Sequence, residues 1–181
     1  MRKFNTIIVL LIMLLFIDHI TFGSLHFLGT KFGIAAPFAM TMMILVLIHA
    51  VVSIIITIRA EVAGFKTKAR YNKENRQFWL RRASGIAILV LALVHANVMQ
   101  KGENGIPKLS RMPRVFSLIL PLLMLSVAIH ISQNIRPLLI SMGVKNREKK
   151  EKIIKLLIIL FTIITIVSYG VFVVGKIKGG H

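Results

Sequence analysis

Four histidines, His19, His49, His95 and His130, fall one each in the first four of five long apolar stretches; the fifth has none. An imidazole inside a bilayer finds no partner in lipid, so an ionisable residue there marks a functional site by default. Any one of the four taken singly could equally bond a backbone carbonyl of a neighbouring helix. One on each of four consecutive stretches argues for a shared task. Helical rise sorts them by depth. At about 1.5 Å per residue, His19 lies roughly 24 Å above Lys3 and His95 roughly 20 Å above Arg82. Counted from the other side, His49 lies about 24 Å below Gly33 and His130 about 24 Å below Arg114. His19 and His95 therefore share an outer level, and His49 and His130 an inner one. Two stacked pairs of neutral imidazoles on facing helices are what two b-type haems require, with water walled off by the bundle.

Other polar residues share faces with these four. Ser53 follows His49 by four residues, and Ser126 precedes His130 by four. Gln133 and Asn134 follow His130 by three and four, so they lie on its face of the helix. These could orient an imidazole or bond a haem propionate. Ser84, eleven residues before His95, lies on nearly the same stripe but about 16 Å lower, beside the inner level. Gly85 next to it lets a bulky planar group approach the backbone. Serine and glycine are also common at plain helix–helix contacts in membranes.

The elements that must position these residues follow from composition. The chain has 181 residues, 56% hydrophobic, with Lys+Arg 24 against Asp+Glu 6 and no cysteine. Charge and apolar residues are segregated, which excludes a disordered basic tail, a coiled coil and an ordinary nucleic-acid-binding domain. Without cysteine this chain supplies no thiolate to an iron–sulfur cluster and attaches no c-type haem. A bilayer core about 30 Å thick needs roughly 20 apolar residues in a helix. Five segments qualify, over about 4–22, 34–59, 79–100, 115–136 and 153–175. The expected fold is all-α, one transmembrane domain over 1–181, multi-pass in the cell membrane. With the N-terminus cytoplasmic, 17 basic residues fall inside and 7 outside, so the expected orientation is N-in, C-out. The first segment also resembles a signal peptide after Met1-Arg2-Lys3, but no small-x-small cleavage site follows, and a retained helix is expected.

Within the third segment, Arg82-Ala83-Ser84-Gly85-Ile86 with His95 thirteen residues after the arginine resembles the R-x-S-G-I…H segment of the two-haem cytochrome b subunit of succinate dehydrogenases and fumarate reductases. His49-Ala50-Val51 is similar to that family's second-ligand helix. His130-Ile131-Ser132 with Gly143 thirteen residues on is similar to its fourth, and Phe16-Ile17-Asp18-His19 to its first, apart from the acid. The likeness runs over about 3–145, and the five-segment count extends it to the whole chain. It implies that His19 and His95 hold the outer haem b and His49 and His130 the inner one, with Arg82, Ser84 and Gly85 around the latter. It also implies flavoprotein and iron–sulfur partner subunits on the cytoplasmic side. Electrons would pass between them and a membrane quinone, with the dicarboxylate chemistry on another chain.

Two features depart from the family. The stretch between His19 and His49 is short, and residues 20–60 contain no acid, whereas the family often places one near the outer haem for menaquinone protonation. Asp18, the only acid within an apolar segment, is the candidate to take that role, with His26 and Asn97. An ionised aspartate at a membrane centre costs about 2.5–3.5 kcal/mol on insertion scales and less near a boundary. Asp18→Asn is expected to keep both haems while quinone turnover is lost; unchanged turnover would exclude the role. A haem b subunit of another oxidoreductase, such as a hydrogenase or formate dehydrogenase, would use histidines similarly. A haem-free transporter or assembly protein would bind none.

Overall fold

The computed structural model describes residues 2–28, 34–67, 72–100 and 116–178. They form five helices, α1 (Arg2–Phe27), α2 (Ala35–Thr67), α3 (Asn72–Gln100), α4 (Phe116–Ser141) and α5 (Arg147–Lys178). Each is long and apolar enough to cross a membrane. Helix is the form such sequences must take in lipid, because every backbone N–H and C=O then finds its partner within the segment. Large apolar side chains along all five helices stay on the outside, among them Leu14, Met40, Ile86, Leu118 and Ile166. In water that surface would be an aggregation hazard; against acyl chains it is the solvated face.

The helices overrun the apolar segments. Apolar residues mark where lipid ends, whereas the backbone ladder continues through Glu61 and Arg59 in α2 and starts at Asn72 in α3. Of residues 60–78, which separate the expected second and third segments, the described ones are two helix ends. At about 1.5 Å per residue, the eight steps from Arg59 to Thr67 extend α2 by roughly 12 Å. Of the cations assigned to the other side, Lys31 and those over 101–114 lie outside the described residues.

Helix α1 packs on α2, and α3 on α4; α1 and α4 also touch each other and share α5. The chain order around the four histidine-bearing helices thus makes α1 with α3, and α2 with α4, the cross-bundle pairs. Thr6 of α1 bonds Ser141 of α4 through their hydroxyls at 3.0 Å. The start of α1 and the end of α4 therefore lie at the same end of the bundle. Interior burial is sparse: among the described residues the buried hydrophobic side chains are Ile8, Ile20, Ile119, Ile135, Leu139 and Phe172.

The α4–α5 turn is built from local chemistry. Gly143 has φ +87; its N–H donates to the Ile140 carbonyl, and the Val144 N–H to that of Leu139, each at 3.0 Å. This is a Schellman stop, for which glycine is the natural residue. Asn146 then caps α5, its Oδ1 accepting the Lys149 N–H at 2.9 Å. Arg136 and Glu151 bridge the two helices at 2.8 Å, an exposed pair worth about 1 kcal/mol at most. A Cβ at Gly143 meets open space, so Gly143→Ala tests the backbone alone. It should cost about 1 kcal/mol, read as a small drop in thermal midpoint.

Candidate functional site

Two histidine pairs are stacked along the bundle. The rings of His19 on α1 and His95 on α3 have centroids 6.0 Å apart and planes at 80°. Those of His49 on α2 and His130 on α4 are 6.4 Å apart with planes at 86°. Both pairs join helices that lie across the bundle from each other, so all four imidazoles lie toward its interior. The spacing between levels follows from α1 and α3, which pass both. Asn5, bonded to His49, and His19 are fourteen residues apart; Ser84, bonded to His130, and His95 are eleven apart. The levels are therefore separated by roughly 16–21 Å.

The His49/His130 level is rich in polar contacts. His49 Nδ1 is 2.9 Å from Asn5 Oδ1, and its Nε2 has the Ser53 hydroxyl at 3.5 Å. His130 Nδ1 is 3.1 Å from Ser84 Oγ. Ser84 is buried at 7% exposure, and its own proton is directed to the Leu80 carbonyl at 2.7 Å, with the Arg81 carbonyl at 3.2 Å. Beyond it, a Cβ on Gly85 would stand 3.4 Å from His130 Cε1 and 3.6 Å from its Nδ1. Glycine there lets the imidazole lie against the α3 backbone. Asn134 donates through Nδ2 to the His130 carbonyl at 2.7 Å, so it engages the α4 backbone and not the ring. Ser126 bonds the Leu122 carbonyl one turn back, at 2.8 Å, and Gln133 is half-buried.

Arg82 is engaged with its neighbours. Its Nε donates to Thr57 Oγ1 at 3.0 Å, tying α3 to α2. NH1 donates to the Phe78 carbonyl at 3.3 Å, and the guanidinium lies 3.7 Å over the Phe78 ring. Thr57 in turn donates to the Ser53 carbonyl, one turn beyond His49. Arg81 behaves differently: its Nε is buried with no hydrogen-bond partner among the described residues. Asn5, Thr57 and Arg81 carry no signal in the apolar pattern. Asn5 could have been noticed as an amide two residues inside the first charge, within an otherwise apolar run.

At the other level, Asp18 adjoins His19 in α1 and is partly exposed. His26 lies in the last turn of α1, about 12 Å further along than Asp18. Asn97 is exposed, two residues past His95. Among the described residues no group of three or more histidines and acids is arranged to hold a metal ion. Comparison with family models, with curated proteins and with solved structures gives no match.

Proposed function

We propose that this chain is the di-haem b membrane anchor of a succinate:quinone or quinol:fumarate oxidoreductase, passing electrons between a partner iron–sulfur subunit and a membrane quinone. The observation that carries the haem reading is the pair of ring separations. At each level two imidazoles from facing helices have ring centres 6.0 and 6.4 Å apart, a separation at which both could reach one metal ion at the usual bond length of about 2.0–2.1 Å. Each level offers two imidazoles, whereas a bare zinc-type site takes three or four protein ligands. Two imidazoles per level are what a haem would take from this chain.

The donor set fits such a group in two further ways. Ser84 has carbonyls within reach of its proton and can accept from His130 Nδ1, which would leave Nε2 to ligate. The unpartnered Arg81 Nε, one turn before Ser84 on α3, is a donor that a propionate at that level would satisfy. His19 and His95 would hold the outer haem, and His49 and His130 the inner one. When bound, the haems supply one-electron carriers at two depths. The protein's part is to supply neutral imidazoles, hold their tautomer, exclude water and keep the two levels apart.

The succinate or fumarate assignment is supported by the R-x-S-G-I…H pattern around Arg82 and by Gly143, which ends the fourth-ligand helix. The excess of cations at the α2–α3 and α4–α5 ends supports a cytoplasmic N-terminus in the cell membrane, with the flavoprotein and iron–sulfur subunits on that side. Asp18, with His26 and Asn97 nearby along their helices, is the proposed proton route to the quinone, menaquinone on the family's pattern. A reduced-minus-oxidised spectrum of the purified chain should show b-type bands and two haems per chain. A chain that binds none when expressed with ample haem would overturn the reading.

A further inference from the structure

The His49/His130 pair is held by the two helices that carry the other pair. Helix α1 bears His19 and presents Asn5 to His49; α3 bears His95 and presents Ser84 to His130. We infer that Asn5 and Ser84 are positioning residues that set the tautomer and the electron-donating strength of the His49/His130 pair. This inference rests on the haem reading above and deepens it for one level.

The hydrogen-bond chemistry is specific. An amide Oδ1 has no proton, so the 2.9 Å contact requires His49 Nδ1 to donate. The Ser84 hydroxyl has one proton and three neighbours, the Leu80 carbonyl at 2.7 Å, the Arg81 carbonyl at 3.2 Å and His130 Nδ1 at 3.1 Å. With that proton on the shortest contact, the Leu80 carbonyl, Ser84 Oγ accepts from His130 Nδ1. On this arrangement both rings are Nδ1–H tautomers, with the Nε2 lone pair left for a metal. An acceptor on Nδ1–H pushes electron density toward Nε2, which makes the imidazole a stronger ligand and favours the oxidised metal. Both acceptors are neutral oxygens beside the His49/His130 pair and roughly 16–21 Å from the other pair. A change at either should therefore move the potential of the near haem far more than that of the other.

The test is a redox titration of the full chain in its membrane, followed at the b-type absorption and by the low-temperature magnetic resonance of the oxidised haems. The component to watch is the one that His49→Ala abolishes. Asn5→Leu and Ser84→Ala remove an acceptor and should shift that component to higher potential. Asn5→Asp replaces a neutral acceptor with an anionic one and should shift it to lower potential. The component abolished by His19→Ala should move far less in all three. Opposite signs for Leu and Asp are the decisive result, because a mere packing defect would not follow the charge of the acceptor. Equal or absent shifts would overturn the inference. If Asn5→Leu fails to hold haem, the comparison of Asp with wild-type Asn decides alone. A wild-type chain without haem overturns the underlying reading; two haems with unmoved potentials overturn only this inference.

Discussion

His49→Ala and His130→Ala should each leave one haem per chain in place of two, and the double variant should also leave one. His19→Ala and His95→Ala should behave the same way for the other haem. The grouping rests on geometry: His49 stands opposite His130, and His19 opposite His95, across the bundle, and the two pairs lie roughly 16–21 Å apart along it. Loss of a hydrogen-bonding partner of a metal ligand alone costs 10–100-fold in affinity, and loss of the ligand itself costs more. Once one imidazole is gone, its partner has little left to lose, so the two substitutions in a pair are not additive. The measurement is haem per chain, with the spectral position of the surviving component. A different grouping, such as His49 sharing a component with His95, would overturn the assignment of levels.

Gly85→Val should remove the haem at the His49/His130 level and spare the other. A Cβ at Gly85 would stand 3.4 Å from His130 Cε1, at the near limit of ordinary contact. Alanine therefore fills the remaining space and presses on the ring. Valine adds two branched methyls fixed on the helix, which force the ring off the α3 backbone and away from Ser84 Oγ at 3.1 Å. Overpacking of this kind costs about 1–3 kcal/mol, and here it falls on the orientation of a ligand. The expected series is two haems for Gly85, two with a perturbed component for Ala, and one for Val. Retention of both haems by Gly85→Val with an unchanged spectrum would show that His130 does not depend on that approach.

Much of this arrangement is legible in the sequence because a membrane simplifies the problem. Apolar runs must be helices, and a constant rise per residue converts spacing from a flanking charge into depth; four histidines then sort into two levels. Ser84 is reachable the same way, since its stripe and depth follow from its distance to His95. What does not follow is rotation of one helix about another. Nothing in the local pattern says that Asn5 faces α2, or that Arg82 turns to Thr57 while Arg81 keeps a buried donor unsatisfied. Helix ends are equally hidden: hydropathy reports the edge of the lipid, and Glu61 or Asn72 continues a helix as readily as a leucine. Gly143 is legible as a motif residue, but its task of closing the α4–α5 turn appears only in its φ of +87.

The sparse interior has a biological consequence. With six buried hydrophobic side chains among the described residues, the helices have few packing contacts of their own to hold them together across the bundle. On the haem reading, the prosthetic groups are themselves the missing core. A newly made chain in a cell short of haem would then be a loose set of spans exposed to membrane quality control. Haem supply would act as a checkpoint on biogenesis: only a loaded anchor would persist long enough to recruit its soluble subunits.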